Sequence, residues 1–183
     1  MNSSRLAAAA VVIFFGVSAP AMAGELLLGA YDHDIDVNVA LGGFEPGAQI
    51  GVGYRTDRLE ALRPVGRPFA YANAMINTAG ATNYVHAGLG WRFEIGRRLY
   101  FAPAIGAAVH DGNTESFQAT PDELYLGSRV LFAPELNLGW RLSDRASIEA
   151  SWIHLSHGQT RGGQNPGLDD IGVRLAWKLG GGR

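Results

Sequence analysis

Cysteine is absent from this sequence, and charged side chains are scarce. Without cysteine the chain can form no disulfide framework and can perform no thiol chemistry. Only 17% of its residues are charged, whereas about 25% is usual for a soluble domain. The net charge of −2 and the lack of a basic stripe argue against a nucleic-acid partner.

Long apolar runs are also missing after the N-terminal segment, although 47% of the residues are hydrophobic. A membrane helix needs about 20 consecutive apolar residues. High apolar content without such runs is typical of a membrane β-barrel, because each strand exposes only every second residue to lipid. The 183 residues are enough for one domain.

The N-terminal segment has the features of a secretory signal. Arg5 precedes an apolar stretch over 6–17, and Ala21-Met22-Ala23 fits the small-x-small cleavage pattern. We therefore expect a cleaved signal peptide over 1–23 and an outer-membrane β-barrel domain over 24–183.

Eight segments with a period of two make up the rest of the chain. In the fourth segment Val85, Leu89 and Phe93 share one face, and His86 and Glu94 share the other. Such alternation places the two sets on opposite faces of a sheet. The predicted strands cover 31–41, 47–55, 68–77, 82–95, 98–111, 126–142, 145–157 and 169–179.

The polar face of these segments carries full charges, and the apolar face carries bulky residues. An eight-stranded barrel has little interior room, so we expect the apolar set to face lipid. The charged residues should then form ion pairs in the lumen, and the set includes Arg129, Glu135, Arg141, Glu149 and Arg174. The predicted fold is all-β, an eight-stranded antiparallel up-and-down transmembrane β-barrel, closed because hydrocarbon tolerates no open sheet edge.

The connections between the segments suggest an orientation. Gly96-Arg97 and Ser143-Asp144 form short turns, and 112–125 and 158–168 are longer. Short turns on the periplasmic side are usual in this class, although 56–67 is a longer periplasmic exception. Pro103 and Pro134 fall within two segments, where each removes a ladder hydrogen bond, so we expect bulges or kinks there.

The seventh segment carries the candidate chemistry. His154 and Ser156 share the outward parity of Trp152 near the extracellular end, although polar residues are normally avoided on the lipid face. Residues two apart on a strand are separated by about 6.6 Å, a gap that an imidazole can lean across. A serine hydroxyl is a weak nucleophile unless a neighbouring base accepts its proton.

The base needs an orienting carboxylate, and parity on the eighth segment favours Asp169. Asp170 would face the lumen and is kept as the alternative acid. Without catalysis, His154 and Ser156 would be interfacial polar groups and Asp169 a turn residue.

No metal site is predicted. His33 stands beside Asp32, Asp34 and Asp36, but no second cluster with clear ligand spacing accompanies them. We favour the interpretation that these residues are hydrated polar groups at the start of a strand.

Three C-terminal motifs resemble the signature of a known family, the lipid A 3-O-deacylases (the PagL family). They are His154-Leu155-Ser156-His157-Gly158, Asn165-Pro166-Gly167-Leu168-Asp169 and Gly172-Val173-Arg174-Leu175. The resemblance implies a barrel in the outer membrane of a Gram-negative bacterium, with its active site facing the outer leaflet. It implies hydrolysis of the 3-position acyl ester of lipid A, the lipopolysaccharide anchor, without a metal or organic cofactor.

The resemblance also implies roles for single residues. Ser156 would be the nucleophile, His154 the base and Asp169 the acid, where the family more often has glutamate. The residue after the serine is usually asparagine and helps to form the oxyanion pocket. Here it is His157, so the His157 ring, its N–H or the Gly158 N–H would serve.

Beyond the catalytic residues, Arg161 and Asn165 are the expected substrate contacts, and a homodimer is an expected assembly. The predicted function is an outer-membrane serine esterase acting on lipid A. One alternative is a non-catalytic small outer-membrane barrel for adhesion, integrity or solute passage. Another is a soluble periplasmic lipid-binding barrel, which detergent-free solubility would favour.

Overall fold

The computed structural model of the chain describes residues 23–36, 45–115, 124–158 and 167–180. One 3-10 helix, Glu60–Val65, lies between the second and third strands. The eleven strand segments are β1 (Gly24–Asp32), β2 (Ala48–Thr56), β3 (Phe69–Asn77), β4 (Tyr84–Gly90), β5 (Phe93–Ile95), β6 (Leu99–Phe101), β7 (Ala104–His110), β8 (Val130–Phe132), β9 (Glu135–Arg141), β10 (Ala146–Leu155) and β11 (Leu168–Leu179).

These segments form a closed antiparallel barrel of eight strands, as predicted. The pairs β4–β5, β6–β7 and β8–β9 are each one barrel strand with an interruption. The barrel closes where β1 pairs with β11, from Gly24 opposite Leu179 to Asp32 opposite Ile171. Every neighbouring pair is antiparallel, which is the arrangement of an up-and-down barrel.

Two of the interruptions fall at the prolines, which confirms the expected irregularity. Pro103 separates β6 from β7, and Pro134 separates β8 from β9. Neither residue can donate a backbone hydrogen bond. The third interruption, at Trp91 and Arg92, lies beside the interruption at Pro103. The Trp91 N–H donates to the Pro103 carbonyl at 2.9 Å.

The apolar faces point outward around the barrel, as expected for a barrel in lipid. Large exposed hydrophobic residues occur on strands all round the wall and include Ile50, Ile76, Val85, Ile105, Phe132, Leu138, Trp140, Ile148, Val173 and Trp177. A soluble barrel would bury this set. Among the described residues, no helix has the length and apolar character needed to cross a bilayer.

Charged residues fill the interior and pair there. Arg174 contacts Glu135 and Glu149, each at 2.5 Å, and Arg55 contacts Glu149 at 2.8 Å. Arg55 also contacts Glu25 at 2.6 Å. The predicted lumen network is therefore present around Glu135, Glu149 and Arg174, and it packs the bore.

The other two charged residues predicted for this network lie outside it. Arg141 pairs with Glu94 at a partly exposed position. Arg129 donates to the backbone oxygens of His110 and Gly112. Both residues lie at strand ends, where the bore opens. Their acceptors there are Glu94 and backbone oxygens instead of the buried glutamates.

The first strand was predicted at the wrong place. It was expected over 31–41, but β1 covers Gly24–Asp32, and 37–41 lies outside the described residues. Leu26, Leu27 and Leu28 are consecutive and apolar, so the segment lacks the alternation that marks the other strands. Its burial nevertheless alternates from Leu27 onwards, and Leu27 points inward.

Candidate active site

The register of two neighbouring strands brings the candidate residues together. β10 and β11 pair so that His154 lies directly opposite Asp169, and Trp152 lies opposite Ile171. His154 keeps the parity of Ile148 and Ala150, which point outward. A basic group and an acidic group therefore face each other on the lipid-facing side of the wall.

A hydrogen bond joins these two side chains. His154 Nδ1 lies 3.1 Å from Asp169 Oδ1. The His154 side chain is 14% exposed, whereas that of Asp169 is completely buried. An ionised carboxylate can only accept, so Nδ1 carries the proton and Nε2 keeps its lone pair. That is the tautomer required of a general base.

Trp152 is a third member of this group, and the sequence reasoning placed it only among the lipid-facing residues. Its indole Nε1 donates to Asp169 Oδ1 at 2.6 Å. Its ring stacks on the His154 ring, with centroids 5.9 Å apart and planes at 28°. The signal in the sequence is its position two residues before His154 on the same strand face.

Ser156 follows the end of β10 and stays attached to the sheet. It forms a bridge with Phe132, donating its N–H to the Phe132 oxygen at 3.1 Å and accepting at 2.7 Å. This bridge preserves its outward parity beside His154. Its hydroxyl makes no hydrogen bond within the described parts of the chain, and catalytic hydrogen bonds often tighten only when substrate binds.

The two residues after Ser156 are His157, whose side chain points inward, and Gly158. His157 is 4% exposed and lies on the inward side, where its ring is close to Gly127. Gly158 has a φ of 56°, a left-handed conformation that favours glycine. Arg161 and Asn165, the expected substrate contacts, lie outside the described residues.

Asp170 points inward, away from Asp169, into a group we call the His33 cluster (His33, Glu45, Tyr84 and Asp170). His33 Nδ1 lies 2.8 Å from Asp170 Oδ1, and Nε2 lies 2.9 Å from Glu45 Oε2. The Tyr84 hydroxyl donates to Asp170 Oδ2 at 2.5 Å. Asp170 is thus engaged inside the wall, opposite the face that carries His154.

The charge of the His33 cluster follows from its geometry. Burial disfavours an imidazolium, but the hydrogen bonds to Asp170 and Glu45 outweigh it and raise the pKa of His33 to about 9. In the described ranges, no group of three or more histidine or acidic residues has an arrangement that could hold a metal ion.

The sequence matches a family model described as lipid A 3-O-deacylase (PagL) over residues 50–178. The chain belongs to this family. The match covers well over half of the sequence and includes β10, β11 as far as Lys178, and the residues Trp152, His154, Ser156 and Asp169. No curated protein matches the sequence.

Solved structures share the barrel. The crystal structure of the outer membrane enzyme PagL superposes with a TM-score of 0.60 at 14% identity, covering 84% of this chain and 98% of that one. A de novo designed transmembrane β-barrel gives 0.55 at 8% identity, covering 89% and 100%. Neisserial surface protein A (NspA) gives 0.51 at 11% identity, covering 86% and 96%. At these identities the likeness is one of fold.

Membership of the PagL family makes the chain an ester hydrolase of the Gram-negative outer membrane that deacylates lipid A. The two alternative functions therefore do not hold. The soluble periplasmic barrel conflicts with the exposed apolar faces. Solute passage conflicts with a bore in which Glu135, Glu149 and Arg174 are paired and buried.

Proposed function

We propose that Ser156, His154 and Asp169 carry out the 3-O-deacylation of lipid A. The observation that supports this most directly is the hydrogen bond between His154 Nδ1 and Asp169 Oδ1. This bond lies on the lipid-facing side of the wall. His154 is two residues before Ser156 and shares its outward direction. An acyl chain in the membrane can reach this face without entering the bore.

The chemistry follows from the tautomer of His154. Nε2 takes the proton from the Ser156 hydroxyl as Oγ attacks the ester carbonyl. The tetrahedral intermediate collapses, and Nε2 returns the proton to the oxygen at position 3 of lipid A. Water then attacks the acyl-serine with His154 again as the base; the bond between the acyl carbon and Oγ breaks, Nε2 returns the proton to Ser156 Oγ, and the fatty acid is released. Asp169 orients the imidazole and stabilises its positive charge in both halves.

The oxyanion formed in these steps needs donors on the outward side. The Ser156 N–H is engaged with the Phe132 oxygen. The Gly158 N–H has no acceptor within the described residues, so we assign it to the oxyanion. The inward position of the His157 ring leaves its backbone N–H as the second candidate.

The proposal also concerns orientation and processing. The end that carries the chain termini and the short turns would face the periplasm, so the Ser156 end would meet the outer leaflet. Arg161 and Asn165 remain predicted substrate contacts. Cleavage after Ala23 would make Gly24 the first mature residue, and Gly24 is also the first residue of β1. Intact-mass measurement of the purified protein would test the cleavage site.

Lipid A hydrolysis by matched serine variants tests the assignment. Purified protein in detergent should release a 3-hydroxy fatty acid, detected by mass spectrometry. Ser156→Ala should abolish release while the folded barrel keeps its heat-modifiable migration. Ser147→Ala, an inward serine on the same strand, should retain it. Release by the Ser156→Ala variant at the wild-type rate would refute the proposal.

The homodimer remains a prediction. Chemical cross-linking of the protein in liposomes at increasing dilution would test it.

A further inference from the structure

One carboxylate oxygen accepts two hydrogen bonds at the outward face. Asp169 Oδ1 receives the indole N–H of Trp152 at 2.6 Å and contacts His154 Nδ1 at 3.1 Å. The other oxygen, Oδ2, is buried without a hydrogen-bond partner in the described ranges. The contacts of this carboxylate are therefore concentrated on the atom that orients the imidazole.

The position of Trp152 differs from that of other tryptophans in the wall. Trp140 and Trp177 are 46% and 45% exposed, which is usual for residues that anchor a barrel at the membrane interface. Trp152 is less exposed and directs its N–H into the protein. Its Cα partner on β11 is Ile171, so the bond to Asp169 crosses the strand pair diagonally.

The buried carboxylate explains why a donor is needed there. Asp169 lies on a face whose neighbours, Ile171 and Val173, are exposed to the apolar surroundings. A charge in such surroundings is costly unless it is hydrogen-bonded. The Trp152 N–H supplies a charge-assisted bond, which is stronger than a neutral one. The same ring stacks on His154, the other side chain in contact with Asp169 Oδ1, and so fixes the position of the imidazole as well.

We propose that Trp152 is a positioning residue of the deacylase, holding Asp169 and His154 in their catalytic arrangement through its N–H and its ring. This inference rests on the proposed roles of Ser156, His154 and Asp169. Trp152 itself forms and breaks no bond in the proposed reaction. Its effect passes through Asp169 Oδ1 to Nδ1 of the imidazole, and from there to Nε2.

The described surroundings of the His154 ring contain few charged groups. Asp169 is the titratable group facing it from β11. On the other side, Phe132, Pro134 and Leu136 of the β8–β9 strand are uncharged. Removing the Trp152 donor leaves more negative charge on Oδ1, the atom of this carboxylate that contacts His154 Nδ1.

Trp152→Phe keeps a ring but removes the N–H. We expect kcat to fall by about 10-fold or more with little change in KM, because a hydrogen bond to a charged group is lost from the catalytic arrangement. The pH profile of kcat/KM should change as well, because the carboxylate that orients the imidazole has lost a donor. Trp140→Phe, on the same outward face at the other end of the wall, should keep the wild-type kcat and profile.

A second measurement needs no substitution and uses the wild-type sequence. Biosynthetic incorporation of fluorotryptophan makes the indole N–H a stronger donor without changing the shape of the ring. The pH profile of kcat/KM should then change in the direction opposite to the change in Trp152→Phe. This shift should disappear when the labelled protein also carries Trp152→Phe.

The outcomes separate this inference from the proposed function. Activity in Ser156→Ala would overturn the catalytic assignment itself. An inactive Ser156→Ala variant, together with an unchanged pH profile of kcat/KM in both Trp152→Phe and the fluorinated protein, would overturn only the role of Trp152. If Trp152→Phe does not fold, the fluorinated protein decides alone.

Discussion

Asp169 and Asp170 are consecutive in the chain, yet their carboxylates lie on opposite sides of the barrel wall. Asp169 contacts His154 and Trp152 on the outward face. Asp170 contacts His33 and Tyr84 on the inward face. Because side chains alternate along a strand, one dipeptide supplies an acid for the candidate site and an acid for the lumen.

This relationship predicts different consequences for two matched variants. Asp169→Asn should lower kcat by about 10⁴-fold, because an amide cannot hold His154 in the correct tautomer. Asp170→Asn should retain most of the activity per folded molecule, because its carboxylate faces away from His154. Lipid A hydrolysis normalised to the folded fraction on a heat-modifiability gel would measure both.

The reverse pattern would identify Asp170 as the acid. Loss of activity in both variants, with both fully folded, would mean that the two sides of the wall are coupled more tightly than their contacts indicate.

The inward direction of His157 leads to a prediction about the oxyanion pocket. If backbone N–H groups are the donors, His157→Ala should change kcat by less than about 10-fold per folded molecule. Loss of a side-chain donor instead costs about 10²- to 10³-fold. A fall of that size in His157→Ala would show that the ring turns outward and takes part in the reaction.

Much of the fold could be predicted because the strands alternate between apolar and polar residues. That alternation in β4, β9 and β11 gives the face of each residue, and the irregularities at Pro103 and Pro134 follow from their missing N–H groups. The first strand escaped prediction because Leu26 to Leu28 do not alternate. Their membership of the barrel depends on pairing with β2 and β11, which a local pattern does not contain.

The candidate site could be predicted from the sequence to about the same extent as the fold. Parity placed His154, Ser156 and Asp169 on one face, and the hairpin brought β10 beside β11. The burial of Asp169 and the contact from Trp152 could not be predicted, because both depend on a diagonal contact between the strands. The inward turn of the His157 ring depends on how the chain continues past the end of β10.

The buried ion pairs of the lumen predict a stability difference between two glutamates. Glu149→Gln removes the charge shared by Arg55 and Arg174, and breaking a buried pair costs about 3–5 kcal/mol of unfolding free energy. Glu94→Gln removes a partly exposed pair with Arg141, for which about 0–1 kcal/mol is expected. Urea unfolding in detergent would measure both. Equal losses would show that the lumen pairs are as solvated as the surface one.

The His33 cluster predicts a loss of stability at alkaline pH. The pKa of His33 is raised to about 9 by Asp170 and Glu45, above the ordinary value of about 6.5 for an unfolded chain. Its contribution to stability is therefore fully present below about pH 6.5 and is lost as the pH rises through about 9. Unfolding free energies should fall over this window in the wild type.

A pair of histidine variants isolates this effect from the other groups that titrate at high pH. His33→Gln should be less stable than the wild type at pH 6, and the difference should shrink towards pH 10, because the imidazolium is then lost from the wild type as well. His154→Gln lies outside the His33 cluster and should keep the wild-type alkaline loss. A His33→Gln deficit that stays constant from pH 6 to 10 would mean that His33 acts through packing alone, and that its ion pairs with Asp170 and Glu45 contribute nothing to the fold.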